Sequence, residues 1–153
     1  MKAKVRGEAG SGPQRRHKQL DACCTQLLLL PQYLSQWGMN KVARQVARHL
    51  CQYFDDELKR HRQEQEGRVF PALLARARDS EVNDLCRQIV RATAQHRVLD
   101  HAWSNLRGNL AAIGFCRPAK LSLDDAKRFV MLCRNHVASE DEYLFAHQLT
   151  LPR

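Results

Sequence analysis

The chain has no apolar run of membrane length: its longest, Leu27–Leu30, ends at Pro31, far short of the roughly 20 residues that span a bilayer. The basic N-terminal stretch carrying Lys2, Lys4, Arg6, Arg15 and Arg16 lacks the apolar core of a signal peptide. A soluble, cytoplasmic protein without a membrane partner is therefore expected. Six cysteines (Cys23, Cys24, Cys51, Cys86, Cys116 and Cys133) include no C-x-x-C pair and no regular framework, so free buried thiols are expected rather than a disulfide scaffold. Aromatic residues are only 7% and few are interleaved with the basic ones. The net charge of +9 is thus read as solvated helix faces, and nucleic acid as the weakest of the partners considered. No Gly-rich phosphate loop and no nucleophilic triad is present, so any chemistry would come from a bound metal rather than a protein nucleophile. Strand-like alternation is nearly absent.

What remains is helical periodicity over 153 residues, one domain's worth. Residues 1–13 read as a mobile basic tail and 14–153 as the folded unit. Four helices are predicted. The first covers about Gln14–Gln36, with Leu20, Cys24, Leu27, Leu28 and Leu34 inward and a kink at Pro31. The second covers about Asn40–Arg76, with Val42, Val46, Leu50, Phe54, Leu58 and His61 inward and a bend or restart at Pro71. The third runs from Ser80 to Ile113 through Leu85, Ile89, His96, Leu99, Trp103, Leu106 and Leu110. The fourth follows Leu121-Ser122, carries Phe129, Leu132, His136, Tyr143 and Leu144, and takes Ser122 and Asp125 as its capping pair.

One histidine on each helix interrupts an apolar stripe. In an antiparallel hairpin, residues equidistant from the turn lie at one height, so the sequence midpoint between them should fall on a turn. The midpoint of His17 and His61 is Met39, within Gly38-Met39-Asn40. That of His61 and His96 falls between Arg78 and Asp79, and that of His96 and His136 is Cys116, before Arg117-Pro118. All three coincide with breaker or capping signals. An all-α, up-down-up-down four-helix bundle would bring the four imidazoles to one level, the arrangement of a metal centre in a bundle core. Adjacent buried imidazoles each need a partner, and a shared cation serves them all. His49, His101 and His147 do not fit this level and face, and are left out.

Carboxylates complete the donor set unevenly. Glu140 lies four residues after His136, on the same helix face. Asp100 follows His96 at that spacing with a shorter reach. Four residues after His61 comes Gln65, an amide, flanked by Glu64 on the histidine's side and Glu66 about 140° away. Glu64, Gln65 and Asp100 all remain candidates to complete the site. Imidazole and carboxylate together suit iron, manganese or zinc.

The run His61-Arg-Gln-Glu-Gln-Glu-Gly-Arg-Val-Phe70-Pro71-Ala-Leu73-Leu74 resembles the second-helix motif of the hemerythrin-like HHE cation-binding family. Gln95-His96-Arg-Val-Leu99-Asp100-His-Ala-Trp103 resembles the third, His136-Val-Ala-Ser-Glu140-Asp-Glu-Tyr-Leu144-Phe145 the fourth, with Ala146 in place of a frequent proline, and Arg16-His17-Lys-Gln-Leu20 the first. The resemblance implies a four-helix bundle with a non-haem di-iron site, His17, His61, His96, His136 and Glu140 occupying ligand positions. It also implies that the protein binds, senses or detoxifies dioxygen, nitric oxide or peroxide. Gln65 stands where the family carries its second-helix glutamate, which lowers the negative charge available to two cations. The alternative is a bundle with a degenerate or zinc-occupied site serving as a protein-interaction module. Pairing into a homodimer is compatible with either.

Overall fold

A computed structural model describes residues 13–150, with side chains described over 15–141. Residues 1–12 of the expected 1–13 tail, and the side chains of Tyr143, Leu144 and His147, lie outside that range, while residue 13 is already helical. The elements are α1 (Pro13–Trp37), α2 (Lys41–Glu64), a π-helical turn (Gln65–Val69), α3 (Phe70–Arg76), α4 (Asp79–Gly114) and α5 (Leu123–Thr150). Since α2, the π turn and α3 follow one another without a break, the architecture is the expected all-α four-helix bundle, with no strand among the described residues. Packing closes in the order α1, α2, α4, α5 and back to α1. No described helix is long and apolar enough to cross a membrane.

All three midpoints are connections. Gly38 adopts φ +72° between α1 and α2, a left-handed conformation in which a Cβ would be strained. Asn40 then caps α2 by accepting a hydrogen bond from the Ala43 N–H at 3.0 Å. Between α3 and α4 only Ala77 and Arg78 intervene, and the Glu81 carboxylate reaches back to the Arg78 N–H at 3.4 Å. Cys116, at φ 60°, follows the end of α4. There the Arg48 Nε donates to the free Gly114 carbonyl at 2.6 Å, and a Cβ on Gly114 would meet the Arg48 chain at 2.8 Å. Ser122 caps α5 by accepting from the Asp125 N–H at 3.2 Å, as its position predicted.

The core confirms most of the predicted stripes, with one correction. Val42 is 53% exposed, and the start of α2 turns Ala43 and Ala47 inward. Both alanines are fully buried, and a stripe read by hydrophobicity alone passes over such small side chains. α1 runs through Pro31 uninterrupted. All six cysteines are free, but only Cys23, Cys24 and Cys133 are buried; Cys86 and Cys116 are exposed. Beneath the histidine level Phe54, Trp103 and Phe129 pack together, with ring centroids 5.0, 5.1 and 5.4 Å apart. Each lies seven residues from a histidine on its own helix, so two turns place the aromatic floor directly along the axis from the imidazoles.

Candidate metal centre

Three helices deliver His61, His96 and His136 to one point, with ring centroids 4.8 to 5.6 Å apart. One ligand nitrogen from each lies within 4.8 Å of the other two, a grouping that could hold a metal ion. His96 and His136 are 3% and 4% exposed. Burial is the main reason both titrate below an ordinary histidine, His136 at about 4. For His96 the neighbouring Glu66 carboxylate opposes the shift, and for His136 that of Glu140 does. Both rings are therefore neutral near neutral pH, the form in which imidazole donates a lone pair to a metal.

Outer hydrogen bonds orient the rings. The His136 Nδ1 lies 2.7 Å from the Gln95 Oε1. An amide oxygen only accepts, so Nδ1 carries the proton and Nε2 the lone pair. That Nε2 faces His61 Nε2 at 3.2 Å and Glu140 Oε2 at 3.7 Å. His96 sits between two acceptors, Glu66 Oε1 at 3.2 Å from Nδ1 and Gln65 Oε1 at 2.7 Å from Nε2. A neutral ring has one N–H, so one of those oxygens has no donor from it.

Glu140 is 8% exposed. One of its oxygens accepts from the Gln65 amide N–H. The other, Oε2, is buried without a hydrogen-bond partner. His61 Nε2 is only 3.1 Å from it, but is not aligned as a donor. Leaving a carboxylate oxygen unsatisfied in a water-poor site is costly, and a cation among these donors removes the cost. The residues present therefore fit a metal ion.

Residues 14–147 match the Hemerythrin HHE cation binding domain. The chain belongs to the hemerythrin family. No curated protein matches the chain closely enough to add to this assignment. As in the family generally, a cation-binding role follows, and the histidine cluster stands where such a role requires it.

The remaining expected site residues divide. His17, on α1, lines the same cavity as His61, His136 and Glu140, a space of about 180 Å³. Its Nδ1 is 3.8 Å from Asp141 Oδ1, and it is outside the three-histidine grouping. Glu64 also lines the cavity, but its carboxylate is engaged by Arg16, Arg60 and Arg68. Asp100 is not among the cavity-lining residues and accepts from Arg62 instead. Four residues place it about 40° round the helix from His96, and its short side chain meets the arginine of α2. Gln65 is 4% exposed at the centre of the cluster, joined to both Glu140 and His96.

Sequence reasoning missed Gln95 and Glu66 as partners of the two Nδ1 atoms. Gln95 could have been found from its place beside His96. Glu66 could not, because the π turn alters the helical register at that point.

Proposed function

We propose that this hemerythrin-family protein is a non-haem iron protein in which His61, His136 and Glu140, with His96 packed beside them, bind iron in the bundle core next to a cavity that receives dioxygen, nitric oxide or peroxide. The buried Glu140 Oε2, without a donor and facing the Nε2 atoms of His61 and His136 at 3.1 and 3.7 Å, carries the reading. When bound, ferrous iron supplies a redox-active Lewis acid with affinity for such small ligands. The chain's own residues do the rest. Gln95 fixes the ring of His136, the role of an outer partner at a metal-binding histidine, and Glu66 meets the His96 ring at Nδ1. Phe54, Trp103 and Phe129 close the floor against water, and the cavity wall adds Leu20, Leu58 and Leu99. Zinc or manganese fits the same donors.

The test is the metal content of wild type and His136→Ala after anaerobic loading with ferrous iron, followed by optical spectra on admitting oxygen or nitric oxide. Wild type should retain iron and change its spectrum, and the variant should lose most of its metal. Equal metal in both would defeat the proposal.

A further inference from the structure

We infer that the centre is built for a single divalent first-row cation held by His61, His136 and Glu140, with Gln65 and His96 as positioning residues rather than donors to a second ion. This rests on the cation-binding reading above and departs from the pair of irons that the family resemblance implies. Three observations carry it.

The first is the spacing of donor atoms. His61 Nε2, His136 Nε2 and Glu140 Oε2 form a triangle with edges of 3.2, 3.1 and 3.7 Å. Donors about 2.1 Å from one ion lie about 3.0 Å apart at right angles and about 3.4 Å apart at tetrahedral angles. The triangle is therefore one face of a single coordination sphere, and its composition is that of the two-histidine, one-carboxylate triad of mononuclear iron sites.

The second is charge. Paired metal ions sit roughly 3.5–4 Å apart, and in a buried pocket their charge needs several anions to offset it. The described cavity carboxylates are Glu57, Glu64 and Glu140. Arg60 holds both oxygens of Glu57 at 2.5 and 2.6 Å, and three arginines hold Glu64. Of these three only Glu140 faces the imidazoles, and the Glu66 carboxylate, which does not line the cavity, meets His96 on the Nδ1 side.

The third is the occupant of the place where a second anion would stand. The Gln65 amide donates to Glu140 Oε1 and turns its oxygen to His96 Nε2 at 2.7 Å. The amide oxygen thereby stands against His96 Nε2 in the space a second ion would need, and the amide N–H holds Glu140 Oε1 so that Oε2 is the oxygen left for the first ion.

The experiment is a manganese(II) titration of the metal-free full chain, read by equilibrium metal content and electron paramagnetic resonance. Wild type should bind one equivalent and show the sextet of an isolated ion. Gln65→Glu should bind a second and show the halved hyperfine spacing of an exchange-coupled pair. His96→Ala should keep one equivalent with affinity weakened about 10- to 100-fold, as loss of an outer partner does, whereas Glu140→Ala should bind none. Two equivalents with a coupled signal in wild type would overturn the inference and leave iron binding intact. A second ion absent from folded Gln65→Glu would refute the role given to residue 65. Failure of wild type to bind manganese or ferrous iron at all would remove the cation-binding reading itself.

Discussion

Phe54 is the residue through which packing supports the site, and its removal has a calculable cost. Its side chain is fully buried. Its ring meets Tyr53 at 5.2 Å, Trp103 at 5.0 Å and Phe129 at 5.1 Å, and the Tyr53 and Phe129 contacts are edge-on. Phe→Ala in such a core costs about 3–5 kcal/mol, from lost transfer free energy and the cavity left behind. The rings come from α2, α4 and α5, so local collapse cannot refill the space without moving helices that also carry His61, His96 and His136. The upper part of the range is therefore expected. For a domain of this size each kcal/mol moves the melting temperature by about 2–4 °C, so a cost of about 4–5 kcal/mol gives a fall of roughly 8–20 °C. Circular dichroism melts of metal-free wild type, Phe54→Leu and Phe54→Ala would measure it, with Phe54→Leu in between. A loss below about 1.5 kcal/mol in Phe54→Ala would refute the claim that this ring is the floor of the centre.

Two further changes test the supports of the bundle. Asp55 accepts hydrogen bonds from the Trp103 Nε1 at 2.8 Å and from Arg107. Burial pushes its carboxyl up, but the bonds from Arg107 and Trp103 outweigh it and the net direction is down. A depressed carboxylate stabilises the fold above the unfolded-state value and loses that contribution as pH falls through the folded value. Asp55→Asn should thus cost about 0.5–1 kcal/mol at pH 7, a figure kept small because the carboxylate is 35% exposed; in urea titrations the deficit should shrink progressively as pH falls below the ordinary aspartate value. Gly38→Ala meets no atom within 4 Å, so its cost should be the left-handed backbone alone, about 1–2 kcal/mol, seen as a lower urea midpoint at unchanged slope.

The bundle was legible because turn chemistry and histidine spacing report on the same geometry. Gly38, the Arg78–Asp79 junction and Cys116 were marked as turns by midpoint and breaker signals together, and each is a connection. His61, His96 and His136 were legible for the same reason: each breaks an apolar stripe two turns from an aromatic ring. The start of α2 differs from the predicted stripe because alanine carries little hydrophobic weight, although Ala43 and Ala47 are both fully buried. Asp100 and Glu64 illustrate a different limit. Spacing along one helix puts a carboxylate near a histidine, but the arginine that captures it comes from elsewhere: Arg62 of α2 for Asp100, and Arg16 of α1, with Arg60 and Arg68, for Glu64.

The π turn explains why residue 65 holds so central a place. Pro71 has no N–H, and in a regular helix its ring would press on the carbonyl four residues earlier, that of Gly67. The chain answers by widening the preceding turn, so that the Phe70 N–H bonds to the Gln65 carbonyl, five residues back. The helix continues through Pro71 into α3, and Phe70 still reaches the core, stacked 6.4 Å from the His96 ring. Within the widened turn, Gln65 and Glu66 both touch His96, one at each ring nitrogen. In a regular helix adjacent residues diverge by about 100° and would not share one imidazole readily. The proline thus acts on the centre indirectly: it sets a backbone register in which one side chain bridges Glu140 and His96 while its neighbour fixes the His96 ring. A single side chain so placed can change the charge of the centre without changing the bundle. On the single-cation reading, it is therefore the glutamine at 65, rather than any feature of the fold, that would set how many cations the site is suited to hold.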